Sequence, residues 1–444
     1  MNNTAKKRQI IELVKDLLIL LLCCSAFLLA LRGQLFASAP RLFGGQDSHL
    51  TGTAEPAAGV QADAACPLGM AVNLIGTGGE TARLWLQYDA AACQALFQQL
   101  AAPLAEALSS VGTPEQVARQ QWEQALSAAP GVVLDFQSPM PLPVLVHWLA
   151  GEDSGLTAQT RRLVLYVQGD GLALCWRDET SGAYFRASAK GVDTHALSEA
   201  LSGLTPNGAQ FAFENPDYDR LDPDTMILPQ TVSMPIYSAS DPMGDGRTSL
   251  EALMGYLNIS ADASSFYSAG NEQVARSESD SLRLSLSGFA TYEAGEARTG
   301  RFPVPTRGDQ AALADSVEAC RRLAAATVGL HCGQARLYLS GVAQGEDSLE
   351  VCFDYSLSGA PVQLSSGHAA RFWVRQGQIV KFELSFRSYA KQGSTSALLP
   401  PRQAAAALAA EQPGRELLLV YGDAGSDAAS ADWAAVGGSS QKEG

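Results

Sequence analysis

Residues 349–357 read Leu-Glu-Val-Cys-Phe-Asp-Tyr-Ser-Leu, with Val351, Phe353 and Tyr355 alternating with Glu350, Cys352 and Asp354. A period of two puts the large apolar side chains on one face of a pleated strand and the polar ones on the other. The neighbouring sequence repeats the pattern. Upstream, Gln334 to Val342 is a strand, and before it Gln310 to Ala326 is a helix. Leu313, Val317, Cys320 and Leu323 or Ala324 form one stripe on that helix, and Gly329 is expected to stop it. Downstream, Gly359-Ala-Pro-Val362 turns the chain. Ala370 to Arg375 and Gln378 to Tyr389 then form a hairpin about Gln376-Gly377. Pro400 to Glu411 is a helix, Leu417 to Tyr421 a last strand, and the tail after Trp433 is expected to be disordered.

Toward the N-terminus the same grammar continues. Thr248 to Leu257 is a helix, and Phe266 to Ala269, Gln273 to Ser277, Ser281 to Ser287 and Phe289 to Tyr292 are strands. Met70 to Ile75 and Ala82 to Tyr88 form a hairpin around Gly76-Thr77-Gly78-Gly79, and Asp89 caps an alanine-rich helix expected to bend or break near Pro103. Thr113-Pro114-Glu115-Gln116 has the composition of a capping box and predicts a helix to about Ala129. Val132 to Phe136 is a buried strand, Val144 to Ala150 a helix or a strand, and Arg162 to Gln168, Leu172 to Arg177 and Ala183 to Ala187 an antiparallel meander.

The far N-terminus differs in kind. Leu17 to Leu31 (LLILLLCCSAFLLAL) is apolar except for Ser25, and Lys6, Lys7 and Arg8 precede it. With the turns from Ile10 onward it is long enough to span a membrane, and the basic cluster places the start of the chain in the cytoplasm and residues 33–444 outside. The candidate for signal-peptide cleavage, Ala37-Ser38-Ala39, is followed by Pro40, which disfavours cutting and favours a retained anchor.

The expected class is α+β: one N-terminal transmembrane helix followed by two or three extracytoplasmic domains of antiparallel sheets with packed helices. The expected divisions are a cytoplasmic tail over 1–9, the membrane helix over 10–36, a linker over 37–65, domains over 66–235, 236–305 and 306–433, and a tail over 434–444.

Chemistry-bearing motifs are sparse. A net charge of −15 argues against a nucleic-acid partner. The Gly76–Gly79 cluster lies between two strands and lacks the Lys-Ser/Thr ending of a phosphate loop. Asp241 to Glu251 has a passing likeness to a calcium loop, with its closing acid one position early, and reads with Asp217, Asp219, Asp222 and Asp224 as solvated acidic loops. The five histidines, His49, His147, His195, His331 and His368, show no HxxxH spacing, and GxSxG does not occur. Cys320 and Cys332 could pair across a helix-to-strand turn or remain buried thiols. No catalytic residue, cofactor or metal site is expected.

Several of these stretches follow a shared order. Phe353-Asp-Tyr355, Leu357-Ser-Gly359-Ala-Pro-Val362, Ala370 to Val374, Gly377-Gln-Ile379-Val, Arg387-Ser-Tyr389 and Leu398-Leu-Pro400-Pro-Arg-Gln403-Ala resemble the C-terminal domain of the YycH/YycI proteins and their clostridial relatives. The strands from Phe266 to Tyr292 and the plan of a short start, one membrane helix and a large outer part are similar too. A C-terminal domain of YycI-like or PepSY-like form is the expectation.

The resemblance implies a membrane-anchored accessory protein that regulates the essential wall-sensing histidine kinase of Gram-positive bacteria. Contacts outside and within the membrane would serve, with a sister regulatory protein as a further partner. Within the membrane helix, Ser25, Ala26 and Ala30 form a small patch that permits close helix approach. Two other readings stand beside this one. An envelope assembly or polymer-binding module would use aromatics such as Trp122, Trp148, Trp176 and Trp373, and a wall hydrolase would need carboxylates that converge only in space.

Overall fold

The computed structural model describes residues 58–437 except 77, 153–154, 261–263, 278–279, 296–300 and 306–311. The expected membrane stretch Leu17–Leu31, with Ser25, Ala26 and Ala30, lies outside the described residues, among which no helix is long and apolar enough to cross a membrane.

After a helix α1 (Ala58–Ala65), the chain builds a seven-stranded antiparallel sheet from β1 (Gly69–Ile75), β2 (Thr81–Trp85), β3 (Glu115–Val117), β4 (Gly131–Pro141), β5 (Gln159–Gln168), β6 (Gly171–Arg177) and β7 (Tyr184–Ala189), in the order β2-β1-β4-β5-β6-β7-β3. Its strands are apolar on both sides because both faces are covered. Met70, Val72, Val132, Leu134, Leu163 and Leu165 pack with the buried side of α2 (Ala90–Ser109), where Leu96, Phe97, Leu100 and Leu104 lie, and with Trp148 of α4 (Leu142–Ala150). Ala71, Val133, Val164 and Cys175 meet Trp122 and Leu126 of α3 (Arg119–Leu126).

Two local expectations need correcting. The helix after Asp89 runs unbroken through the buried Pro103. The capping-box reading of Thr113 to Gln116 fails because Glu115–Val117 pairs as an edge strand with Tyr184–Arg186, held by the Arg186–Glu115 ion pair. The helix starts later, where the Gln121 side chain accepts from the Ala118 N–H at 2.9 Å.

Past α5 (Thr194–Ala200) and a short ladder of β8 (Gln210–Phe211) with β9 (Met226–Ile227), a second sheet carries the rest of the chain. Its elements are β10 (Pro235–Ser240), α6 (Arg247–Tyr256), β11 (Ser265–Ala269), β12 (Glu272–Arg276), β13 (Asp280–Ser285), β14 (Phe289–Ala294), β15 (Phe302–Pro303), α7 (Leu313–Ala326), α8 (Val328–His331), β16 (Arg336–Gln344), β17 (Leu349–Leu357), β18 (Ala360–Leu364), β19 (Ala370–Arg375), β20 (Gln378–Ser385), β21 (Ser388–Thr395), α9 (Pro401–Glu411), β22 (Glu416–Asp423) and β23 (Ala428–Val436).

The strand order is β11-β12-β13-β14-β20-β19-β17-β18-β22-β23-β10-β21, with β15 on β20 and β16 on β17. β14 pairs with β20, so the stretch 236–305 shares its sheet with 306–433. The 349–357 stretch is β17, near the middle of that order. Among the described strands, β18 with β22 is the parallel pair. Only Phe386 and Arg387 separate β20 from β21, although these stand far apart in the hydrogen-bonded order. The sheet must therefore curl back on itself.

Two sequence expectations change here, and one open alternative is decided. Gly329 does not stop α7; the helix ends at Thr327, whose Oγ1 donates to the Leu323 carbonyl at 2.7 Å, and Gly329 sits inside α8. The chain past Tyr421 is not spent, because β22 and β23 form a long hairpin through Val436. Cys320 and Cys332 are both free and buried. The thiol of Cys332 donates to the carbonyls of Gly329 and Ala335.

Candidate recognition cleft

β5 opens on Thr160-Arg161-Arg162 and then turns wholly apolar, so two guanidiniums are carried to the edge of a buried layer. They meet the carboxylates of Asp135 on β4 and Glu416 on β22. Arg162 Nε lies 2.7 Å from Asp135 Oδ2, and Arg161 Nη1 lies 2.6 Å from Glu416 Oε2. Arg161 Nε reaches Asp135 Oδ1 at 3.3 Å, and Arg162 also pairs with Glu416. The four charges balance, as a water-poor site requires.

Burial pushes the Asp135 carboxyl up, yet the two guanidiniums and the Gln137 N–H outweigh it and hold it below the usual range. At Glu416 burial prevails and the carboxyl stays above its ordinary value. A further bond crosses the same seam, where the Leu419 N–H donates to Tyr88 Oη at 3.1 Å.

Beside this quartet lies a cleft of about 460 Å³ lined by Gln137, Arg161, Tyr338, Asp354 and His368 and by the aliphatic side chains of Val362, Leu418 and Val420. Gln137 has φ 64°, a left-handed backbone that a side chain rarely adopts, and such strain tends to collect at functional places. Its Oε1 accepts from Arg161 Nη2 at 2.8 Å, while its Nε2 is buried without a hydrogen-bond partner among the described residues. Burial, with Asp354 nearby, pushes the Tyr338 hydroxyl well up, so it stays a neutral donor.

His368 Nδ1 stands 3.0 Å from both oxygens of Asp354, whose Oδ1 also accepts the Ala369 N–H at 3.1 Å. The hydrogen bond to Asp354 is the main reason the imidazole is raised above its ordinary value, against a smaller opposing effect of burial. The pair's contribution to stability is therefore complete below the ordinary imidazole pKa of about 6.5 and fades as pH rises through the raised value. In an NMR titration His368 is expected to titrate above the ordinary value, and Asp354→Asn to bring it back down. Titration of the parent imidazole at or below that value would remove the pair.

Chemically, the cleft offers donors, one acceptor pair and an aliphatic wall. Among the described residues no serine or cysteine lines the cleft, and both quartet carboxylates are tied to arginines. This arrangement can hold a ligand by hydrogen bonds and apolar contact. No group of three or more His, Cys, Asp or Glu among the described residues could hold a metal ion.

The acidic loops have local uses instead. Asp224 takes Arg119 Nη2 at 2.6 Å and Trp122 Nε1 at 3.1 Å, Asp241 Oδ1 accepts the Met243 N–H at 2.8 Å, and Arg247 pairs with Glu251 at 2.7 Å. Of the candidate polymer-binding aromatics, Trp122, Trp148 and Trp176 are each 1 % exposed. Trp373 is half-buried between Arg371 and Lys381.

The sequence-proposed patch of Ser25, Ala26 and Ala30 lies outside the described residues. In the sequence Arg162 opens the meander strand Arg162 to Gln168, Arg161 stands just before it, and neither is singled out as a site residue. Their signal was two adjacent arginines leading directly into the buried run Leu163–Tyr166.

The ordered motifs of the C-terminal half have structural work. Ser358 and Gly359 have φ 49° and 79°, making the tight turn from β17 to β18. A Cβ on Gly359 would come within 2.4 Å of the Gln87 carbonyl oxygen, so this turn packs against the first sheet's chain. Arg387 grips Asp423 through two bonds of 2.8 and 2.9 Å, and Tyr389 Oη donates to the same carboxylate at 2.7 Å.

No family model and no curated relative matches the chain. Among solved structures, the crystal structure of YycH from Bacillus subtilis is similar, with a TM-score of 0.53, 9 % identity, and coverage of 84 % of this chain and 94 % of that one. At that identity the likeness is one of fold. The chain has a mixed α+β, YycH-like fold.

Proposed function

We propose that this chain is a non-catalytic, membrane-anchored regulatory protein that acts on a sensor histidine kinase of the cell envelope through protein contacts. The observation that carries this reading is the YycH-like fold, which spans 94 % of that chain. The order of motifs from Phe353 to Ala404 supports it, as does a cleft equipped for recognition with no serine or cysteine in its lining among the described residues. In this reading the stretch Leu17–Leu31 holds the protein in the membrane with residues 33–444 outside. Ser25, Ala26 and Ala30 lie against the kinase's own membrane helices and bias its conformational equilibrium. A sister regulatory protein would share that contact.

The test is kinase output in cells that lack the gene, read as phosphorylation of the cognate response regulator. A several-fold change is expected, restored by the full chain. Unchanged phosphorylation in the deletion strain sinks the reading. A second arm exchanges residues 10–36 for an unrelated membrane helix. Regulation is expected to be lost, whereas full regulation with the foreign helix would reduce Leu17–Leu31 to a tether and discard the role of Ser25, Ala26 and Ala30.

A further inference from the structure

We infer that Cys66 and Cys93 are the two halves of an intramolecular disulfide, which fastens the entry segment of the folded body to helix α2. The thiols of both residues donate to one acceptor, the carbonyl oxygen of Pro67, at 3.5 Å from Cys66 and 3.7 Å from Cys93. No other pair of cysteines among the described residues shares a hydrogen-bonding partner in this way. Both side chains are buried, at 5 % and 2 % exposure.

The backbone around them is already fixed. Arg336 Nη2 donates to the carbonyls of Asp63 and Cys66 at 3.1 and 2.6 Å, and Gln94 Nε2 donates to Asp63 Oδ1 at 3.1 Å. Segment 63–67 is thus held between β16 and α2, with both sulfurs directed at the same carbonyl oxygen. Two thiols set on one acceptor in a fixed frame are placed for a bridge, since disulfide geometry tolerates little backbone strain.

The pair is also electronically uneven. Hydrogen bonding from Cys93, with help from Arg336, holds the Cys66 thiol down to about 7 against the opposing effect of burial. The Cys93 thiol is pushed up by its bond to Cys66 and by burial.

The oxidant is a small or protein disulfide. One of the two cysteines, as thiolate, attacks one of its sulfurs and expels the other as a thiolate. The second cysteine, losing its proton to solvent, then attacks the first cysteine's Sγ in the mixed disulfide and expels the second thiolate. The two protein thiols give up two electrons and two protons, and the oxidant becomes two thiols. The exchange takes place before segment 58–68 has docked, because the docked sulfurs are enclosed.

Occupancy of the bond in cells rests on the proposed placement of residues 33–444 outside the cytoplasm, where disulfides persist. The experiment therefore has two arms. Full-length chain in detergent is denatured, refolded in buffers of graded reduced and oxidised glutathione, quenched in acid, alkylated and weighed intact. We expect a species lighter by two hydrogens that loses two alkylatable thiols, with a peptide cross-linking 66 to 93 and an unfolding midpoint raised by a few degrees.

Cys66→Ser and Cys93→Ser should each abolish that species, and Cys332→Ser should leave it. A chain that keeps every thiol alkylatable at all glutathione ratios, or that links a different pair, overturns the proposal. In the second arm intact cells are alkylated directly. A bond that forms in glutathione but is absent in cells leaves the site standing and counts against the extracytoplasmic placement.

Discussion

Replacing Arg162 with methionine is expected to lower folding stability by about 3–5 kcal/mol, the range for removing one partner from a buried ion cluster. Methionine keeps most of the side chain's volume, so the loss comes from charge. Asp135, 0 % exposed, and Glu416 would be left sharing Arg161 alone, one negative charge in excess beneath the seam between β4, β5 and β22. The sign of the pH dependence follows. In the parent, Asp135 is held below its ordinary range, so its contribution is present above the unfolded value and lost as pH falls through the folded one.

In the variant that depression is gone and burial raises the group instead. Protonation then relieves the excess charge, and the variant's deficit should shrink between neutral and mildly acid pH. Urea unfolding of the parent, Arg162→Met, Asp135→Asn and the double variant forms a thermodynamic cycle. The double should recover a large share of the loss because it restores neutrality. Single effects below about 1 kcal/mol, or strict additivity, would mean the quartet is not a coupled unit.

How far the sequence reveals this architecture depends on the range of the interaction that decides each element. β17 and the hairpin of β19 and β20 follow from two-residue alternation and the turn at Gln376-Gly377, which are local signals. α2 follows from Asp89, whose Oδ1 does accept the Ala92 N–H at 3.0 Å. β23 escaped because Ala-Ala-Ser-Ala-Asp-Trp-Ala-Ala-Val carries little strand propensity of its own. Seven residue pairs with β22 make it a strand, and that is tertiary context overriding composition. β3 escaped for the same reason, its helix-start chemistry losing to pairing with β7.

The cleft was the least legible part. Gln137, Arg161, Tyr338 and His368 come from β4, β5, β16 and the turn before β19, and the quartet joins residue 135 to residue 416. No window of sequence contains such a site. What the sequence did carry was Arg387-Ser-Tyr389, recognisable as a motif before its common partner, Asp423, was visible.

That partner carries the second large effect. Asp423→Ala is expected to cost about 3–5 kcal/mol, since it strips the part-buried Arg387 guanidinium of both its carboxylate bonds and leaves the Tyr389 hydroxyl, on a residue 1 % exposed, without its acceptor. The damage should differ in place from that of Arg162→Met. Arg387 and Tyr389 stand where β20 gives way to β21, and Asp423 ends β22, so their clamp fastens the corner at which the curled sheet returns to itself.

Releasing it should loosen β21 and its partner β10 first, because β21 ends the strand order and, beyond β10, is tied by main-chain bonds of Tyr389 to Cys332 and Gln334. Amide hydrogen exchange is therefore expected to accelerate over Pro235–Ser240 and Ser388–Thr395 while β4 and β5 keep their protection. Uniform acceleration through both sheets would show that the corner unfolds only with the whole body. Unchanged exchange at β10 and β21 would show that main-chain pairing alone holds the ring, and that the Arg-x-Tyr motif owes its presence to something other than closing the sheet.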